Sequence, residues 1–337
     1  MSTKRIFSTD TDSSTVTVLE QADQGFQTVR VIPIGNGPRG AVKFTNKGLG
    51  YVSNNDGDTI SEIDAKSLEE TAKIKVGISP TGVGIVPGDR YLLSSNSGSN
   101  SISVVDLNSR QELFQIAVGK QPRHMDITPS GDYAYIAISG GDYIAKVDIR
   151  SLRDNRFDAI RQEVREVKRV FVGDSANPYS AAVSPDGRFV FSANNQVNYI
   201  SVIETDSDAI VATVEVGTKG SRGTAFSPDG TRAYVSIEDT SEIVEIDTSN
   251  FSIVKRIPSG PGPRGLVVDA GTGNLYVAAF ARTQRTGDVA FAESTLNLPN
   301  SMSVISLLPN AFTEERIGGS GIPVGQGPCS ISIYEFE

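Results

Sequence analysis

Two landmarks recur along this chain at a fixed distance, and that repetition limits the fold more than any other feature. The first is a short turn, Gly37-Pro38-Arg39-Gly40. It returns as Ser79-Pro80-Thr81-Gly82, Gln121-Pro122-Arg123-His124, Asn177-Pro178-Tyr179-Ser180, Gly220-Ser221-Arg222-Gly223, Gly262-Pro263-Arg264-Gly265 and Gly327-Pro328-Cys329-Ser330. The second is an alternating apolar strand that ends in an acid, as in Ile60-Ser-Glu-Ile-Asp64, Ile102-Ser-Val-Val-Asp106 and Ile200-Ser-Val-Ile-Glu204. In five repeats the two landmarks lie 26 residues apart: 38 to 64, 80 to 106, 122 to 148, 178 to 204 and 221 to 247. Turn signals such as Ser184-Pro-Asp-Gly187 and a further short strand fill the interval, and a fourth strand follows the acid. Each repeat of about 42 residues is therefore four short strands between Gly, Pro, Asp and Asn turns, the periodicity of a propeller blade.

Counting the repeats closes a ring. Full repeats begin near residues 37, 79, 121, 177, 220 and 262. The N-terminal segment supplies three strands without a first one, and residues 327–337 supply a lone first strand. Joined, 4–34 and 327–337 make a seventh blade and remove two open sheet edges that would invite aggregation. The expected fold is all-β: one seven-bladed β-propeller domain over residues 1–337.

Tyr51-Val-Ser-Asn54, Phe191-Ser-Ala-Asn194 and the Ser-Pro-Asp-Gly turns resemble the YVTN-repeat β-propeller family across essentially the whole chain. The resemblance implies a seven-bladed fold. It implies no single activity, because such propellers include lactonases of the 6-phosphogluconolactonase type, lyases and cyclases, cofactor-biosynthesis proteins and binding proteins.

Composition removes several chemistries. Among 337 residues there is one Cys and one His, so no intrachain disulfide and no site of several thiolates or imidazoles can form. With 31 Lys plus Arg against 40 Asp plus Glu, the net charge of −9 argues against broad nucleic-acid binding. The sequence contains no Walker loop, dinucleotide fingerprint or nucleophile elbow, and no cofactor is expected. No apolar run is long enough to cross a membrane. The N-terminal Lys4-Arg5 pair precedes no apolar segment, so a cytoplasmic chain is expected; a mature secreted form would read the same. The oxygen-rich stretches 10–14 and 54–59 lack a full calcium-loop spacing and read as turns.

Blade geometry places a candidate site. The turn landmark opens the innermost strand of each blade, so the residue after Pro should point into one mouth of the central channel. Around the ring those residues are Arg39, Thr81, Arg123, Tyr179, Arg222, Arg264 and Cys329. Four arginines at one mouth of an acidic protein suit a carboxylate or phosphate, although each could instead pair with a local acid. Asn54, Asn194 and Arg282 complete the expected substrate-binding set. His124, beside Arg123, is a candidate neutral base; Tyr179 is a candidate proton donor or an aromatic plug; Glu238 is a candidate carboxylate acid or base. Asp239, Asp288 and Glu293 are alternatives to Glu238. Cys329 reads as a small buried thiol rather than a nucleophile.

Two insertions depart from the repeat. Residues 282–299 lengthen the sixth blade at the arginine end, as a lid or a surface loop. Residues 151–167 extend the third blade at the opposite end, where Leu152, Phe157, Ile160 and Val164 predict a short amphipathic helix. That helix is expected to brace the blade or meet a protein partner. The functional expectation is a small-molecule enzyme that binds an anion at the channel mouth and performs cofactor-independent acid–base chemistry: lactone opening or closing, elimination, isomerisation or cyclisation. The alternative is a non-catalytic binding or scaffold propeller.

Overall fold

The computed structural model describes residues 3–22, 25–156, 160–280, 300–307 and 321–336. They form seven four-stranded antiparallel sheets, each followed from the channel outward. Strand order within a sheet is sequential, as in Pro38–Phe44, Leu49–Asn54, Thr59–Asp64 and Glu69–Lys75 of the first blade. The last blade joins the two ends of the chain: Pro328–Phe336 pairs antiparallel with Thr3–Asp10, followed by Thr15–Gln21 and Phe26–Pro33. The ring closes as the repeat arithmetic requires.

Burial explains the residue pattern. Middle strands are covered on both faces by neighbouring blades, so Tyr91–Asn96 and Ser101–Asp106 are buried at every position. Outer strands meet solvent on one face and alternate, as Glu69–Lys75 does. Leu92 and Leu93, both fully buried, each contribute about 1.5–3 kcal/mol from removal of apolar surface.

The Asn that ends the second strand has a structural task. Asn54 Nδ2 donates to Ser61 Oγ at 2.8 Å, Asn96 Nδ2 to Ser103 Oγ at 2.8 Å and Asn194 Nδ2 to Ser201 Oγ at 3.0 Å. In the split blade Asp10 takes this place, with Thr17 as its partner at 2.6 Å. These side chains are fully buried inside their blades. Asn54 and Asn194, expected among substrate-binding residues, are thus held away from the channel by hydrogen bonds between the second and third strands.

The 151–167 insertion also differs from expectation. Instead of one amphipathic helix there are two single helical turns, Arg150–Arg153 and Ile160–Glu163, and residues from 165 onward already belong to strand Arg165–Phe171. Asn155 breaks the helix by adopting φ +54°, a conformation Asn tolerates. Leu152, Ile160 and Val164 pack with Tyr91 and Val104 of the preceding blade. Tyr91 Oη donates to Asn155 Oδ1 at 2.9 Å, so the segment braces two blades. Phe157 and the whole 282–299 insertion, with Arg282, Asp288 and Glu293, lie outside the described residues. No helix among the described residues is long and apolar enough to cross a membrane.

Candidate functional site

A bulge aims the ring. In six innermost strands the pairing register shifts at the turn landmark and one extra residue is accommodated next to Pro or Ser221; in the first blade Arg39 still faces Ser53, and two extra residues lie between it and Lys43. In the second blade Pro80 faces Asn96 and Gly82 faces Ser95, which leaves Thr81 unpaired; Tyr179 and Cys329 stand in the same position in their blades. Such bulges bend a strand and redirect one side chain. Hydroxyls then fix the backbone: the carbonyls of Arg39, Arg123, Arg222 and Arg264 accept from Ser53, Ser95, Ser180 and Ser236 at 2.5–2.8 Å. Close approach between blades demands small residues here. A Cβ on Gly223 would lie 2.5 Å from the Arg264 carbonyl, and Gly40, at φ +70°, lies against the His124 ring.

The four arginines divide into two pairs. Arg222 Nε donates to Glu238 Oε2 at 2.5 Å, while Arg264 donates to Oε1 from Nε at 3.0 Å and Nη2 at 2.7 Å. All three side chains are buried. Burial alone would raise the Glu238 carboxyl, but Arg264 and Arg222 override it and hold the group below the usual carboxylate range. Arg264 also stacks 3.6 Å from the Phe280 ring centroid. Glu238, expected as an acid or base, is therefore an ionised clamp whose oxygens are already engaged. Asp239 lies beside it, its carboxyl raised by burial and by Glu238.

Arg39 and Arg123 have no such partner. The Nε atoms of both are buried without a hydrogen bond, and neither guanidinium forms an ion pair among the described residues. Burial, with Arg39 and Arg222 nearby, lowers Arg123 from its ordinary value, partly offset by Tyr179. Its guanidinium stands 5.8 Å from the Tyr179 ring centroid, and Arg222 stands 4.5 Å from the same ring. His124 lies against Tyr179, with ring centroids 5.2 Å apart. Burial and the charges of Arg123, Arg39, Lys43 and Arg222 push the imidazole down to about 3, so it is neutral at physiological pH.

Beneath this mouth lies a cavity of about 160 Å³. His124, Tyr179, Arg222, Arg264 and Cys329 line it, joined by residues that sequence reasoning did not select: Lys43, Asp126, Thr224 and Leu266. Arg39 and Arg123 stand near the cavity without forming its wall. Cys329 is buried and forms no disulfide. Lys43 and Thr224 lie two or more residues beyond the bulge, and the register shift hides from the sequence that they share the cavity.

A model of the YNCE-like beta-propeller family matches residues 88–278, more than half of the chain. The chain belongs to that family. A model described as lactonase, 7-bladed beta-propeller, matches residues 3–153. No curated protein matches in sequence. Among solved structures, a functionally unknown protein from Desulfotomaculum acetoxidans is similar at TM-score 0.74 and 15% identity, covering 98% of each chain. The dihydro-heme d1 dehydrogenase NirN, in complex with DHE, is similar at TM-score 0.64 and 17% identity. That match covers 90% of this chain and 61% of NirN. Kuenenia stuttgartiensis hydrazine synthase is similar at TM-score 0.51 and 17% identity, covering 81% of this chain and 97% of the other. At these identities the solved structures establish a shared fold, and the chemistry of this YNCE-like propeller has to be argued from its own channel.

Proposed function

We propose that this propeller binds a small anion at the arginine mouth of its channel and moves a proton on it without a cofactor. One observation carries the reading: the two buried guanidinium Nε atoms of Arg39 and Arg123, unpartnered beside a neutral imidazole. A buried cation without a counter-charge is costly, and a carboxylate or phosphate would offset that cost with charge-assisted, paired hydrogen bonds. Lys43 adds a third cation near His124 without an ion pair among the described residues. A bound anion would cancel part of the field that depresses His124 and make the ring a better proton acceptor. Tyr179, whose ring lies against His124 and whose Oη forms no hydrogen bond among the described residues, would supply the proton. Isomerisation needs no more than this; lactone opening also consumes a water, which His124 would deprotonate as it attacks the carbonyl carbon while Tyr179 Oη protonates the departing ring oxygen.

Calorimetric titration with phosphate, acetate and benzoate tests the binding step. The protein should bind at least one of them. Arg39→Gln and Arg123→Gln should each weaken binding about tenfold, a loss of about 1.4 kcal/mol. Equal binding by the variants, or none by the parent, would overturn the reading. Acid release from small lactones, lost in His124→Gln while binding persists, tests the chemistry. A second reading, binding without catalysis, is favoured by one feature: His124 lacks a hydrogen-bonded orienting group among the described residues, which catalytic bases usually have.

A further inference from the structure

Building on that reading, we infer that the ligand is a small monocarboxylate with an apolar, benzene-sized body, rather than a polyanion or a phosphorylated sugar. The cavity is electrically lopsided. On the side of the fifth and sixth blades, Glu238 already answers Arg222 and Arg264, leaving little unbalanced charge there. The uncompensated cations, Arg39, Arg123 and Lys43, belong to the first and third blades. A ligand with negative charge at one end meets this field correctly. A ligand charged at both ends would press its second charge against the Asp126 carboxylate in the wall or against apolar surface, at a desolvation cost with no new partner.

The wall supports the same conclusion. Val83, Met125, Ala181, Ala182, Leu266 and Cys329 present methyl, thioether and thiol surface. Lys43, His124 and Tyr179 of the same lining are the groups assigned above to the anion and its proton, and two of the remaining polar side chains are engaged elsewhere. Ser180 donates to the Arg222 carbonyl at 2.7 Å. Asp126 Oδ1 and Oδ2 accept from the amides of Ile127 and Val183, each at 3.1 Å. Thr224 Oγ1 alone in this wall is buried with no partner, and it offers one hydrogen bond to the ligand body. A sugar, with a hydroxyl on nearly every carbon, would leave most of them unsatisfied. Size agrees: about 160 Å³ is below the roughly 300–1,000 Å³ of drug-sized pockets, and an engineered apolar cavity of roughly 150 Å³ in another protein accepts benzene.

Calorimetric titration with benzoate, acetate, phosphate and glucose 6-phosphate decides the matter. Benzoate should bind at least tenfold more tightly than the other three, and Arg39→Gln or Arg123→Gln should weaken it about tenfold. Leu266→Ala, which enlarges the wall, should shift preference at least threefold from benzoate toward 2-naphthoate. Thermal unfolding of each variant establishes that it is folded, and Ala182→Leu, expected to exclude benzoate while acetate still binds, serves if Leu266→Ala is not. Arginine-dependent binding in which acetate, phosphate or glucose 6-phosphate equals benzoate overturns this inference and leaves the anion site standing. Binding of none of the four, or benzoate binding that ignores both arginines, overturns the inference and the anion site together.

Discussion

Arg264 and Arg39 occupy equivalent places in their blades, each after a Pro at a bulge, yet one is a structural ion pair and the other an unmet charge. The difference is one residue. Glu238 extends from the turn after the second strand of the fifth blade and reaches both Arg222 and Arg264. The corresponding positions of the first and third blades, Asn55 and Ser139, carry no charge; Asn55 donates to the Pro80 carbonyl and Ser139 to the Pro178 carbonyl. Charge on the ring is thus neutralised beside Glu238 and unpaired at Arg39 and Arg123 among the described residues. Under the proposed reading, the arginines open to an anion are those without a fixed acid.

The largest effect should come from breaking the paired side. Glu238→Gln keeps the shape and removes the charge, stranding two buried guanidiniums, and should destabilise the fold by about 3–5 kcal/mol in chemical denaturation. Arg39→Gln and Arg123→Gln remove charges whose burial costs free energy in the absence of ligand, so each should hold or raise the ligand-free stability. Similar losses at Glu238 and Arg123 would erase the distinction between the two sides.

A second buried carboxylate sharpens the contrast, since no cation pairs with it among the described residues. Asp10 accepts from Thr17 Oγ1 and N, Thr15 and Ser8, and burial pushes it up to about 6 despite those bonds. Its folded-state value lies above the unfolded one near 3.9. The native state therefore takes up a proton between about pH 4 and 6 that the unfolded chain does not. Stability from this group is present below that window and is lost as pH rises through 6. Asp10→Asn copies Asn96 and Asn194, which accept from Ser94 and Ser192 while donating to the serine across the strand. The variant should gain about 1–3 kcal/mol above pH 6 and flatten the pH dependence of urea midpoints between pH 4 and 7. A destabilised variant at pH 8 would show that the carboxylate is needed there.

Much of this was legible in the sequence because the repeat is a local, periodic signal. The 26-residue spacing matches the blades, and of the seven landmark residues Tyr179, Arg222, Arg264 and Cys329 line the cavity with His124, whereas Thr81 is held by the Ser95 and Pro122 carbonyls. The site's interior was not legible, for physical reasons. Asn54 and Asn194 have the same sequence context whether they face a ligand or a neighbouring strand; only the partner at the Ser seven residues on decides. Glu238 is a turn acid like many solvated ones until the ring closes and brings Arg264 from the next blade. Leu152, Ile160 and Val164 keep an apolar spacing that fits a helix, but Asn155 interrupts it and a strand begins at Arg165.

The smallest effect is also the most specific probe of the unpaired side. His124 is the chain's single histidine, so its imidazole resonances need no assignment by mutagenesis. Its value of about 3 has two kinds of cause: burial, which a ligand cannot relieve, and the positive field of Arg123, Arg39, Lys43 and Arg222, which an anion can. Saturating the site with benzoate should therefore raise the imidazole by about one unit and no more, the equivalent of about 1.4 kcal/mol of field relief. Arg123→Gln should produce a similar rise without ligand and shrink the further rise on adding it, because the same charge cannot be cancelled twice. Glu238→Gln should move the ring the other way, since it uncovers Arg222. An imidazole that ignores both the anion and Arg123 would mean that burial alone sets its protonation, and that the ring's charge and the base do not act together.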